Sequence, residues 1–365
     1  MKTDKLFRDL KIVDLSSVLA GPSVGSFFAE LGAQVLKIEN PNHPDITRSW
    51  KLPQEQKDDE LSAYFSSINY GKKYLKIDYQ KESGLVQLKH ILKETDLVLM
   101  NFKKGLQEKL NLSDDQLHET NPKLIIGKIN GFGADSDRVA YDLILQAETG
   151  FMSMNGTPES GPVKMPVALI DVLAAHHLKE GLLIELLRQS KSQDYKGSTI
   201  TVSLYDAAVS SLVNQASNFL MTGFIPQRIG SLHPNIAPYG ELFMTADHKT
   251  LTFAVGSNVH FEKLCAFLGL SALLQNPAYQ TVQSRVENRE DLYQNLKPRV
   301  RDFTAKELLA EMQRRNIPCG EVKNLRAVFE EPRAQQLIME ESINGKQTKR
   351  IASVVFKRQN DSSKN

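Results

Sequence analysis

Residues 11–39 read KIVDLSSVLAGPSVGSFFAELGAQVLKIE. Residues 11–15 form a short apolar run of strand length. Pro22 follows where a first helical residue is expected, since its fixed φ suits that position. Val24, Phe27, Phe28 and Leu31 then recur at i, i+3, i+4 and i+7, the buried stripe of one helix. Gly32 stops that helix, because glycine takes the left-handed conformation at little cost. Residues 35–38 (VLKI) read as the next strand, which makes a β-loop-α-β unit.

The rhythm continues outward from this unit. Strands are expected at 75–78, 96–101 and 124–129, with helices at 82–94 and 113–119 between them. Strands that alternate with helices imply a mostly parallel sheet covered on both faces, and their near-continuous apolar character agrees. A long helix is expected from Ile170 to about Arg188, a strand at 198–203, and a further helix running to Met221. Residues 230–240 (GSLHPNIAPYG) form a proline- and glycine-punctuated loop of the sort that carries function. Residues 251–255, 261–268 and 287–303 suit a smaller α/β module. The fold class is therefore α/β.

Composition narrows the function. In 365 residues, 45 Lys and Arg oppose 43 Asp and Glu, so no whole-chain field argues for nucleic acid. Two cysteines cannot build a disulfide framework and suit a reducing compartment. Residues 1–10 lack the apolar core of a secretory signal. The most apolar stretch, 203–223, is interrupted by Asp206, Asn214, Gln215 and Asn218, which makes a poor membrane span. A cytoplasmic protein with no membrane partner is expected.

Common catalytic signatures are missing: the chain has no G-x-x-x-x-G-K-[ST], G-x-S-x-G or H-E-x-x-H. The first βα turn offers Gly21 and Gly25 but not G-x-G-x-x-G, although Glu39 ends the second strand where a ribose-binding acid would sit. A capping or loop role for Glu39 is the alternative. His176 and His177 are adjacent and point about 100° apart on a helix, so no metal site is expected.

Residues 12–50 as a block resemble the opening signature of the class III coenzyme A-transferases, the family of formyl-CoA and carnitine CoA-transferases and alpha-methylacyl-CoA racemase. Further blocks follow in order: INYGKKYLKID (68–78), NFKKG (101–105), NPKLIIGKINGFG (121–133), residues 141–156 and 166–180, HPNIAPYG (233–240) and IPCGEV (317–322). The resemblance implies a large Rossmann-like domain of residues 1–190 and 325–365 and a small domain of 225–310. Linkers would run over 191–224 and 311–324. It also implies an interlocked homodimer, coenzyme A or acyl-CoA as a substrate with no permanently bound cofactor, and a small carboxylic acid as the second partner.

The family nucleophile, an Asp at a helix start, falls on Asp171 in MPVALIDVLAAHH (165–177). From the residues alone, Asp171 interrupts an apolar run at a helix start, and an N-cap is the favoured role; the resemblance favours the nucleophile. Cations for the phosphates of CoA stand at predicted strand ends or the loops after them: Lys37, Arg48, Lys72, Lys73, Lys103 and Lys104. The resemblance adds Val18, Ala20, Asn101, Phe102, Arg138 and Tyr141 as CoA contacts, with Phe102 against the adenine. The loop 230–240 either covers the site and supplies N–H donors or is an ordinary interdomain loop.

Two alternatives stay open. The racemase branch needs a histidine before an Asp, where this chain has Tyr141-Asp142; tyrosine, with an ordinary pKa of ~10, is a poor base at neutral pH, which leaves a histidine from elsewhere, such as His233, as the substitute. A non-catalytic CoA-binding protein is the other, and the retained Asp171 argues against it. Apolar and hydroxyl side chains at 16–20 (SSVLA) suit a longer or more apolar acid better than oxalate.

Overall fold

The structure is a computed structural model that describes residues 6–356. The chain divides into two compact units. One holds residues 6–152, 164–225 and 335–356; the other holds 153–163 and 226–334.

The first unit is built on six parallel strands: β1 (Lys11–Asp14), β2 (Gln34–Glu39), β3 (Lys73–Lys76), β4 (Leu97–Met100), β5 (Ile125–Asn130) and β6 (Thr199–Ser203). Their order is β3-β2-β1-β4-β5-β6, so the direction of winding reverses between β1 and β4. Successive residues of the central strands enter different cores. Ile12, Leu97, Leu99 and Ile125 pack on one face, and Val13, Val98, Met100 and Ile126 on the other. Burial of both faces is why these strands read as unbroken apolar runs.

Helices α1 (Ala20–Glu30) and α2 (Ala63–Ile68) precede β4, as does α3 (Glu82–Leu92), which covers the second face with Leu88 and Leu92. Then come α4 (Asp142–Glu148), the 23-residue α5 (Leu169–Lys191), α6 (Leu204–Ser210) and α7 (Val213–Thr222). Helix α5 shares the first core with α1 through Ala174, Leu178 and Leu182. Gly181 permits its close approach to the sheet, since a Cβ there would lie 2.7 Å from Ile200 Cγ2.

Local expectations fail in two places. Helix α1 begins at Ala20, so Pro22 is its third residue, still within the first turn where no N–H is needed. The helix expected to run to Met221 is broken into α6 and α7, with Val213 at φ +41° at the junction.

The last segment returns to the first unit as an antiparallel hairpin, β10 (Ile338–Ile343) and β11 (Lys346–Ile351). Ile343 packs with Leu61 and Phe65, the latter on α2. The buried Glu30 carboxylate at the end of α1 accepts bonds from Arg350 on β11 and, beyond the hairpin, from Ser353 N and Oγ and from Val354 N.

The second unit has a three-stranded antiparallel sheet of β7 (Tyr239–Met244), β8 (Thr250–Ala254) and β9 (Cys319–Glu321). Helices Asn258–Leu268, Arg289–Val300 and Ala305–Arg314 close a core around Phe243, Phe253 and Phe261. The loop 230–240 lies in this unit. The fully buried Arg285 donates to Ala237 O, and Arg289 donates to Ile236 O and His233 O, so its carbonyls are clamped. Among the described residues no helix is long and apolar enough to cross a membrane.

Candidate active site

In an open parallel sheet, ligands bind beyond the carboxyl ends of the strands where the winding reverses. Here the loops after β1, β4 and β5 bound a cavity of about 230 Å³ at that point. Val18, Ala20, Asn101, Phe102, Lys104, Arg138, Tyr141 and Asp171 all line it, together with Leu19 and Lys103. A second cavity, of about 270 Å³, shares Asn101, Phe102, Lys103 and Lys104.

Asp171 is the third residue of α5, and Ala168 is the N-cap residue, without a side-chain cap bond. The capping role is thus excluded. The Asp171 side chain is 93% buried (7% exposed), and among the described residues its carboxylate accepts no hydrogen bond. Burial, and then the negative charge of Asp142, push its carboxyl up to about 7. Asp142 is itself well held: its Oδ1 accepts Ile170 N–H at 2.8 Å and its Oδ2 accepts the Gln146 amide at 2.6 Å. Tyr64 on α2 feels the same charges. Burial, Asp171, Asp142 and Asp45 raise its phenol to about 12, so it stays a protonated donor at neutral pH. Trp50 packs edge-on against it with ring centroids 5.2 Å apart.

Replacing Asp142 by Asn keeps an acceptor for Ile170 N–H but removes the charge. The acid limb of the enzyme's pH–rate profile should then move to lower pH, because Asp171 ionises with less repulsion. An unmoved limb in stopped-time assays from pH 5 to 8 would show that Asp142 does not set the ionisation of Asp171.

The cavity wall after β1 has an unusual backbone. Val18 has φ +72°, a left-handed conformation that a β-branched residue adopts only at a cost on the order of 1–3 kcal/mol. Asn101 spends both ends of its amide on this loop, accepting from Ser17 N and donating to Ser17 O at 2.9 and 2.8 Å. The cations lie on exposed loops: Lys104 donates to Asp135 O, and Arg138 pairs with Glu148 at 2.6 Å while stacking 3.8 Å over Phe132. Phe102 packs near Tyr79, centroids 6.3 Å apart.

Lys37, Arg48 and Lys72 do not reach this cavity, contrary to their expected place on phosphate. Lys72 is buried and donates to Asp14, Pro22 O, Ile68 O and Asn69; burial lowers its pKa to about 8. Lys37 donates to Ser16 O and to Asp45 at 3.3 Å. Arg48 forms a fork with Glu39 at 3.0 and 2.5 Å and stacks 3.7 Å from the Phe65 centroid, beside a separate cavity of about 870 Å³. Strand-end position alone did not distinguish a lysine turned into the fold from one turned to the ligand. Glu39 is accordingly a structural partner of Arg48 and of Asp45 N–H. Tyr64 and the charge effect of Asp142 left no signal in the sequence beyond the Tyr141-Asp142 pair already noted.

The arrangement sets a nearly buried, unbonded carboxyl at one part of a cavity whose other walls carry Lys103, Lys104 and Arg138. That suits a ligand with an electrophilic carbon and a separate anionic portion. Residues 7–364 match CoA-transferase family III. The chain is 33% identical over 332 residues to a succinate–glutarate CoA-transferase of Agrobacterium fabrum, covering 89% of this chain and 82% of that one. It is 30% identical over 345 residues to the human succinyl-CoA:glutarate CoA-transferase, covering 93% and 77%. Among solved structures, a CAIB/BAIF family protein from Brucella suis superimposes with a TM-score of 0.82 at 32% identity, covering 95% of this chain and 91% of that one. The chain therefore belongs to CoA-transferase family III and is an enzyme of that class, moving CoA between an acyl-CoA and an acid.

Proposed function

We propose that CoA transfer proceeds through covalent intermediates on Asp171, with succinyl-CoA as donor and a short dicarboxylic acid such as glutarate as acceptor. The observation that carries this reading is a carboxyl free of hydrogen-bond partners, nearly buried, in a cavity bounded by cationic loops. The substrate pair is drawn from what the relatives are named for.

An Asp171 carboxylate oxygen attacks the thioester carbonyl, the C–S bond breaks and CoA leaves as thiolate, giving a mixed anhydride. The thiolate attacks the Asp171 carbonyl and the donor acid leaves as carboxylate, so CoA now sits on the enzyme as a thioester. The acceptor carboxylate reverses both steps: it forms a new anhydride, and the thiolate takes its acyl carbon. No proton is gained or lost overall, and Asp171 is regenerated. Splitting one exchange into acyl transfers conserves the thioester. Burial of Asp171 supports this twice, by denying the carboxylate hydrogen bonds that would blunt it and by excluding water from the anhydride.

The racemase alternative finds Tyr141 half exposed at the N-cap of α4, with no histidine before Asp142. The test of the covalent reading is intact-mass measurement after mixing with succinyl-CoA and no acceptor, followed by peptide mapping. The expected result is a CoA-sized adduct on the peptide bearing Asp171, discharged by hydroxylamine. Turnover without any adduct under single-turnover quenching would overturn the mechanism.

The resemblance to an interlocked dimer is also retained as part of the proposal. No residue of α7 is buried, and Val213, Leu220 and Met221 expose 68%, 78% and 84% of their surface. Apolar exposure on that scale marks an interaction face. Light scattering on a sizing column should give twice the chain mass of 41.0 kDa, and a monomer at micromolar concentration would refute it.

A further inference from the structure

The loop carrying Val18 is gripped from inside the fold by four charges, none of which the transfer mechanism uses. Asp14, Lys37, Asp45 and Lys72 are all buried. Three of them bond the loop's backbone, and Lys72 holds Asp14. Asp14 Oδ1 accepts Ser16 N at 2.9 Å, Lys37 Nζ donates to Ser16 O, and Asp45 Oδ1 accepts Val18 N at 3.3 Å. Lys37 and Asp45 meet at 3.3 Å, and Lys72 closes on Asp14 at 2.8 Å. Asp45 is in turn fixed by Glu39, which accepts its N–H, and by Thr47, whose N–H and hydroxyl it accepts.

A buried ion pair is weak evidence for stability, since apolar replacements of both partners are often neutral. What such a pair does supply is direction, and here two of its bonds are spent on Ser16 O and Val18 N. Those bonds flank the one residue of the cavity wall whose φ its own side chain disfavours.

From this juxtaposition we propose that Lys37 and Asp45 are positioning residues: they hold the strained Val18 turn in the shape that receives CoA. The inference rests on reading the cavity as the CoA site. It accounts for one of the cations expected on phosphate at predicted strand ends standing inside the fold: Lys37 acts on the ligand through the backbone.

The test measures CoA affinity by calorimetry in the Asp171→Asn background, where no chemistry intervenes. The charge-balanced double variant Lys37→Met/Asp45→Ala removes the bonds to Ser16 O and Val18 N and leaves Asp14 and Lys72 paired. It is expected to unfold within a few degrees of its parent yet to bind CoA at least ten-fold more weakly. Adding Val18→Gly should restore much of that loss, because glycine takes a positive φ unaided. If the double variant does not fold, Asp45→Ala alone carries the test, with at least a three-fold weakening expected. Unchanged affinity in a folded variant overturns the inference, as does weakening that Val18→Gly fails to relieve. Absence of CoA binding in the parent itself would instead overturn the reading of the cavity.

Discussion

Asp171→Asn is expected to lower turnover by at least ~10³-fold and, at the same time, to make the protein more stable above neutral pH. The first effect follows because an amide cannot form the anhydride. The second follows from linkage. The carboxyl stands at about 7 in the folded chain against an ordinary 3.8. An acid whose folded pKa is raised holds its proton more tightly when folded, so ionisation opposes folding. That opposition is absent below pH 4, grows between 4 and 7, and is complete above 7. A difference of about three units corresponds to about 4 kcal/mol. The amide and the neutral acid share the same lack of partners, so the variant should recover most of this at pH 8 and almost none at pH 4. Urea midpoints at the two pH values decide it. A capping aspartate would behave otherwise, since asparagine caps a helix about as well and leaves stability unchanged. Equal midpoints at pH 8 would mean that the carboxyl is neither strained by burial nor poised for attack.

Much of this is legible in the sequence, and the reason differs by layer. The β1-α1-β2 unit could be read because Val24, Phe27, Phe28 and Leu31 face one core and the flanking strands are buried on both sides, which imprints two distinct periods. The cavity wall could be read only by resemblance. Eight of the eleven residues expected at the site, Val18 and Asp171 among them, do line one cavity. Nothing in their local pattern predicts that, because the sheet brings together loops more than a hundred residues apart. Lys37, Arg48 and Lys72 stand away from this cavity for the complementary reason: a cation near a strand end can turn either way, and Asp45, Glu39 and Asp14 decide the matter through contacts that sequence spacing does not encode. The positive φ of Val18 was likewise invisible, since valine is the residue least expected there.

Arg350→Met should cost about 3 kcal/mol of stability, although Arg350 lies far along the chain from every site residue. Its guanidinium and the Glu30 carboxylate are almost fully buried at 2.6 Å, and the guanidinium lies 3.2 Å from the Tyr70 ring centroid. Removing the cation takes the 2.6 Å guanidinium from a buried Glu30 that still accepts from Ser353 and Val354. The consequence reaches the site through two helices. Helix α1 ends at Glu30 and opens at Ala20 on the cavity, and α2, against which Ile343 of the hairpin packs, carries Tyr64. Substituting Glu30→Gln as well removes the buried carboxylate charge that Arg350 balanced, so the double variant should be more stable than Arg350→Met alone. A coupling of roughly 1–3 kcal/mol is expected for residues in direct contact. Chemical denaturation of the two single variants and the double variant measures it. Additive losses would show that the hairpin is held by its apolar contacts, with the ion pair a passenger. A coupling of the expected size would make the last segment of the chain a brace for the helix that begins at the cavity.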